Sequence, residues 1–253
     1  MRSELTRADY CIIACAEVWR GDGEIMASPM GLMPKLGAQL AQATFEPDLL
    51  MTDGVATLEA LLPDGRRVPE GQMPYRTVFD TLWWGKRHVM MGASQLDRYG
   101  NQNISCIGDW NRPKVQLLGV RGAPGNTMSH PTSYWVAHHS KRVFVPSVDM
   151  VSGVGYDRAA ALGAPSARFH AVHRVVTHLG VFDFEGEDHT MRVRSLHPGV
   201  AWEQVCEATG FAIALPEGGR DAVPVTRDPT DDEIRLIRDV LDPDGRAHQQ
   251  VTA

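Results

Sequence analysis

At 253 residues, 43% hydrophobic and 22% charged, the chain has the composition of an ordinary folded domain and enough apolar side chains for one large core, which excludes a disordered or fibrous protein. Its net charge of -6, from 25 basic and 31 acidic residues, is spread without any Lys/Arg cluster, so nucleic acid is excluded as a partner. Four cysteines, Cys11, Cys15, Cys106 and Cys206, make no disulfide framework and are read as reduced and buried, and no stretch approaches the ~20 consecutive apolar residues of a membrane helix.

The first residues lack the basic, apolar and small-residue regions of an export signal, which points to the cytoplasm. Thr6 stands three residues before Asp9, and Tyr10, Ile13, Ala14 and Val18 form an apolar stripe, so a capped helix is predicted over residues 7–20, ended by Gly21 and Gly23. A second helix is predicted near residues 35–44. Buried strands are then expected at 48–52, 87–92, 115–120 and 142–146, each a short apolar run between loop or helix segments. Residues 168–179, 181–184 and 191–196 read as three more strands. A helix should follow Pro198 and end near Thr209, residues 214–228 read as a surface loop, and Thr230 with Glu233 forms a capping box before a last helix. These elements predict one α/β domain over residues 1–253, an open three-layer α/β/α sandwich on a mostly parallel sheet, with a loose tail from about residue 246.

Most motif-like features have plain structural readings. Gly153-Val154-Gly155 fails as a dinucleotide fingerprint because Arg158 stands at the third position, and the chain has no G-x-S-x-G elbow, P-loop lysine motif or H-E-x-x-H. On a strand, His173 faces away from His170 and His178, so no metal site is expected there. His138-His139 is expected to play a structural or hydrogen-bonding part, and Trp83-Trp84 to pack a helix against the sheet. Two loops stand out: Gly92-Ala93-Ser94-Gln95-Leu96-Asp97-Arg98-Tyr99-Gly100-Asn101-Gln102-Asn103, and Arg121-Gly122-Ala123-Pro124-Gly125-Asn126. Each follows an expected strand, where open α/β sheets bind ligands, although either alone could equally be a tight structural turn.

Taken together, these loops resemble the β subunits of class I coenzyme A transferases, which carry a G-A-x-Q-[VL]-D-x-x-G-N-x-N segment, a later glycine-rich turn and a C-terminal H-P-G-V…T-G-F segment. The third is present as His197-Pro198-Gly199-Val200 and Thr209-Gly210-Phe211, so the resemblance spans nearly the whole chain. It implies the family's α/β/α fold, an active site shared with an α subunit, and an α2β2 heterotetramer. In the transferases a β-subunit glutamate attacks the acyl-CoA thioester. The matching strand here ends in Thr52-Asp53-Gly54, which places threonine at the nucleophile's position and a shorter, displaced carboxylate after it.

With Gly100-Asn101-Gln102-Asn103-Ile104-Ser105 and Ser133-Tyr134-Trp135-Val136, this departure resembles the family's steroid-ring-cleaving hydrolases. The resemblance implies a subunit that helps open a cyclic β-keto acyl-CoA by retro-Claisen addition of water, with the general base on the α subunit. Thr52, Asp53 and Gln95 then mark the catalytic region, and Ser94, Asn101, Gly122, Gly125 and Asn126 the wall facing the substrate's CoA. No metal or cofactor beyond that CoA is expected. Two other readings fit the same residues: a transferase that uses Asp53 as nucleophile, and a subunit that only completes the α subunit's pocket.

Overall fold

Thr6 caps the first helix in the way its spacing predicts. Its hydroxyl accepts from the Asp9 amide at 3.3 Å while the Asp9 carboxylate accepts from the Thr6 amide at 2.8 Å, starting α1 (Arg7–Glu17). The computed structural model describes residues 4–53, 56–62, 64–74, 76–77, 80 and 86–251. The chain divides into two compact units, Met1–Met91 with Thr226–Ala253, and Gly92–Val225.

In the first unit, α1 is buried on all sides from Ala8 to Ala16 and packs on α2 (Leu32–Thr44). Their closeness depends on Gly37, where an added Cβ would stand 2.5 Å from the Cys15 Cβ and 2.7 Å from its carbonyl carbon. Strand β1 (Met26–Pro29) is wholly buried and runs parallel to both β2 (Leu50–Thr52) and β5 (Arg87–Gly92). Beyond β2 the pairing turns antiparallel through β3 (Thr57–Leu61) and β4 (Arg67–Gln72). Trp83 and Trp84 lie outside the described residues.

The chain's end belongs to this unit. The Thr230 capping box opens a short helix, Asp231–Arg235, which continues as a π-helix over Leu236–Leu241. A further helix, Arg246–Gln250, replaces the loose tail, with Ala247 and Val251 buried. Ion pairs that include two buried carboxylates bind this segment to α1. Arg238 Nη2 lies 2.7 Å from the buried Asp9 carboxylate, and Arg227 bridges Glu17 and Glu233 at 2.8 and 2.7 Å.

In the second unit, β10 (Pro131–Val136) and β11 (Ala171–Thr177) pair parallel, and β12 (Gly180–Asp183) and β13 (Arg192–Leu196) continue antiparallel. Two small hairpins stand apart from this run: β6 (Gln95–Leu96) with β7 (Gln102–Asn103), and β8 (Cys106–Ile107) with β9 (Val115–Gln116). Both units are therefore α/β with parallel pairing inside and antiparallel strands outside, the expected class. Two expected strands are absent. Residues 115–120 give only two hairpin residues, with Leu118 68% exposed, and residues 142–146 form a turn on the Ser140 carbonyl, with Val143 and Val145 bonding Leu96 of β6 in a single parallel bridge. Three cysteines are buried as expected, but Cys206 is exposed. Among the described residues no helix is long and apolar enough to cross a membrane.

His139 takes the structural part expected of it. Its ring stacks on Phe144 with centroids 3.7 Å apart, and its nitrogens meet the hydroxyls of Thr177 and Thr209 at 3.2 and 2.9 Å. Burial, with His178 nearby, pushes its pKa down from 6.5 to about 3. The unfolded chain therefore takes up this proton first, so the stabilisation is whole above pH 6.5 and is lost as pH falls towards about 3. Urea midpoints should drop from about pH 7.5 to about pH 5, and His139→Gln should flatten that drop. Gly37→Ala should lower stability by about 1–3 kcal/mol in the same assay, because the contact it creates is with backbone as well as side chain.

Candidate functional site

The segment that the family pattern singled out is a tight hairpin held by its own side chains. Asp97, buried at the turn between β6 and β7, accepts from the amides of Tyr99 and Asn101 at 3.0 and 3.1 Å and from Asn101 Nδ2 at 2.9 Å. Burial nonetheless raises its carboxyl pKa, with the Asn101 and Tyr99 hydrogen bonds opposing the shift. Gly100 closes the turn at φ +82, packed so that a Cβ would meet the Phe184 ring at 3.0 Å. Asn101 then links outward: its Nδ2 donates to Asp157 at 2.8 Å and its Oδ1 accepts from the Gly155 amide at 2.8 Å.

Gln95 stands at the centre of a second group. Its Oε1 accepts from Asn103 Nδ2 at 2.7 Å and from the Asp149 amide at 2.9 Å, and its Nε2 donates to the Asp149 carboxylate at 3.1 Å. Asp149 also receives the Gly108 amide at 2.9 Å, while Asn103 Oδ1 receives the Ser105 amide at 2.9 Å. The buried Gln95 side chain is thus engaged within the protein at both ends, which fits a residue that holds the loops in place. Ser94 differs: it is half-buried, its amide donates to the Asn103 carbonyl at 3.0 Å, and its hydroxyl forms no hydrogen bond among the described residues.

The glycine-rich turn opens a short helix, α3 (Ala123–Ser129), with Gly122 at its N-cap and Gly125 within its first turn. Asn126 is buried on this helix, its amide donating to the Gly122 carbonyl at 2.9 Å. Arg121, passed over by sequence reasoning, is exposed and takes a left-handed φ of +52 between Gly119 at φ +81 and the helix. That conformation is uncommon for a bulky side chain and strains the turn. No sequence signal marks it, since arginine favours no such conformation. Gly153 and Gly155 face the hairpin: a Cβ on Gly155 would lie 2.5 Å from the Asn101 amide, and one on Gly153 2.8 Å from Gln102 Oε1. The Gly-Val-Gly motif is therefore a packing device.

Thr52 and Asp53 belong to the first unit. Thr52, fully buried at the end of β2, donates its hydroxyl to the Ala27 carbonyl at 3.1 Å. The Ser28 hydroxyl beside it accepts from Arg87 Nε at 2.8 Å, and burial pulls the Arg87 pKa down to about 10. Asp53 Oδ1 accepts from the amides of Ala56 and Thr57 at 2.9 and 3.1 Å, closing the turn into β3. Gly54 lies outside the described residues. The structure thus gathers Ser94, Gln95 and Asn101 on one hairpin and Gly122, Gly125 and Asn126 on one helical turn. Among the described residues, no group of three His, Cys, Asp or Glu side chains could hold a metal ion.

The coenzyme A transferase family model matches residues 81–208. The chain is 56% identical, over 99% of its length and 98% of the relative's, to a protein of Rhodococcus jostii RHA1 named as the IpdB subunit of a cholesterol ring-cleaving hydrolase. It is 32% identical to a 3-oxoadipate CoA-transferase subunit of Pseudomonas knackmussii, over 86% of this chain and 87% of that one. Among solved structures, IpdAB of Rhodococcus jostii RHA1 superposes with a TM-score of 0.92 at 55% identity, covering 99% of this chain and 100% of that one.

The hydrogen bonds of Gln95 set its expected behaviour. Gln95→Glu removes the donor to Asp149 and sets two carboxylates together, and should lower the urea-derived stability by about 1–3 kcal/mol. Ser94→Ala, which breaks no hydrogen bond of the side chain, should leave that midpoint unchanged.

Proposed function

This chain belongs to the coenzyme A transferase family, and we propose that it is the β subunit of a heteromeric hydrolase that opens the ring of a cyclic β-keto acyl-CoA, COCHEA-CoA, in cholesterol degradation. The observation that carries the proposal is the end of β2, where the transferases present their glutamate. Here the Thr52 hydroxyl is committed to the Ala27 carbonyl and the Asp53 carboxylate to two backbone amides. Neither is placed as a free nucleophile, so a covalent acyl-enzyme finds no support. The likeness to a subunit named as a ring-cleaving hydrolase, at 56% identity, supports the same reading.

In this chemistry a water, deprotonated by a base from the α subunit, adds to the ring ketone carbon. The tetrahedral oxyanion collapses to a carboxylate as the bond to the thioester's α-carbon breaks, and the released electron pair rests as a thioester enolate until that carbon takes a proton. In our reading the Ser94 hydroxyl and the backbone N–H groups at Gly122 and Gly125 supply oxyanion donors, while Gln95, Asn101 and Asn126 hold the loops that carry them. The protein works as a cytoplasmic α2β2 heterotetramer, with no metal or cofactor beyond the CoA of its substrate. Trp110, Val115, Leu118 and Val120, all exposed on or beside the β8–β9 hairpin, give the α subunit an apolar face to cover.

With the α subunit present, turnover in H₂¹⁸O should place label in the new carboxylate without any acid acceptor. Hydroxylamine should trap no aspartyl-CoA adduct, and trapping one at Asp53 would sink the hydrolytic reading in favour of a transferase. Ser94→Ala should lower kcat by about 10²- to 10³-fold while the complex still assembles. Leu118→Asp should instead weaken assembly, seen as dissociation in sedimentation velocity.

A further inference from the structure

Asp149 stands on the irregular stretch that follows β10 and is exposed, a place where a carboxylate is ordinarily left to water. Instead it is held from two directions. Gln95 grips the residue twice, its Oε1 accepting from the Asp149 amide at 2.9 Å and its Nε2 donating to Asp149 Oδ2 at 3.1 Å. The same Oδ2 accepts a second donor, the Gly108 amide, at 2.9 Å. Gly108 opens the loop between β8 and β9 at φ +88, and the Lys114 amide closes that loop on the Ile107 carbonyl at 2.8 Å. The exposed Trp110 lies within it.

One carboxylate oxygen therefore joins two hairpins, β6–β7 and β8–β9, that share no strand pairing with each other. Asn103 completes the tie from the other side. Its Nδ2 donates to Gln95 Oε1 and to the Cys106 carbonyl, each at 2.7 Å, and its own carbonyl accepts from the Ser94 amide at 3.0 Å. Asp149, Gln95, Asn103 and the Ser94 backbone thus form one continuous chain of hydrogen bonds. Because both N–H groups fall on Oδ2, an amide oxygen in the same place would accept them equally well. The arrangement calls for an acceptor there rather than for a negative charge.

We propose that Asp149 is a positioning residue for the ring-opening reaction: it fixes the loop that bears Ser94 to the β8–β9 hairpin, whose exposed apolar side chains face the α subunit. The Ser94 hydroxyl is thereby held at a set distance from a substrate bound beside that subunit. The inference rests on the reading of Ser94 as an oxyanion donor. Such a donor acts by standing about 2.7–3.1 Å from the developing charge, so a loop that shifts by about 1 Å loses most of the effect.

The test is steady-state kinetics of the complex with its α subunit on COCHEA-CoA, with assembly followed by sedimentation velocity. Asp149→Ala should lower kcat by about 10- to 100-fold and leave KM within about threefold, with the complex intact. Asp149→Asn should recover kcat to within about threefold of the parent, because its amide oxygen can take the place of Oδ2 while its N–H groups face solvent. Adding Asp149→Ala to Ser94→Ala should lower kcat by no more than about threefold beyond Ser94→Ala alone, since the loop then has no hydroxyl left to place. Full kcat in Asp149→Ala would overturn the proposal, as would losses that multiply in the double variant. So would an equal loss in Asp149→Asn, which would make the charge itself the requirement. Dissociation of Asp149→Ala with unchanged turnover per intact complex would also overturn it, leaving Asp149 an assembly contact. If Ser94→Ala keeps full kcat, the oxyanion reading fails and this inference with it. A loss in Ser94→Ala beside full kcat in Asp149→Ala sinks this inference alone.

Discussion

A side-chain amide taken out of water must find partners for its N–H and its C=O, because each group left unmet costs on the order of 1–3 kcal/mol. The second unit is built around that obligation. Gln95, Asn101, Gln102 and Asn103 are all buried within nine residues, and three of them bond across the hairpin or to Asp149, Asp157 and the backbone near Gly155. The glycines follow from this arrangement. Gly155 exists because the Asn101 amide comes within 2.5 Å of where its Cβ would be, and Gly100 because the turn needs a left-handed residue beneath Phe184. A polar, glycine-rich loop is here as rigid as a core, which is what a site that must hold donors in fixed places requires.

The first unit meets a different constraint, the management of buried charge. Asp9 both caps α1 and pairs with Arg238, so one carboxylate starts the chain's first helix and anchors its last segment. Arg227 joins Glu17 to Glu233, and Tyr10 donates to Asp228 at 2.7 Å. These pairings explain why the C-terminal segment is ordered. Their stabilising worth lies mainly in Asp9 and Glu233, the two buried carboxylates, since the exposed ion pair Arg66–Asp64 is screened by water.

Much of this was legible in the sequence, for identifiable reasons. Caps are local chemistry, so Thr6 with Asp9 and Thr230 with Glu233 marked their helix starts correctly. β2 and β5 announced themselves as short apolar runs, and β11 as a strand-like alternation followed by β12 and β13. The same rule misplaced 115–120, because an apolar run is silent about whether anything covers it, and here Val115 and Leu118 face outward. It also missed β3, where Leu58, Ala60 and Leu61 alternate with polar residues and are only half-buried, β4, which is mostly polar, and β10, which opens on a proline. For the candidate site, the family pattern marked segments that fold as one hairpin and one helical turn, but spacing alone could not tell Gln95, locked at both ends, from Ser94, which is not. That distinction is made by partners far along the chain, above all Asp149.

The Thr52 hydroxyl also sets what else could stand at this position. A glutamate placed at this position would enter a fully buried site and face the Ala27 carbonyl oxygen, an acceptor where the carboxylate needs a donor. Its charge would need new partners before it could be tolerated, let alone attack a thioester. A lone Thr52→Glu change would therefore bury a carboxylate against an acceptor rather than present it to a thioester.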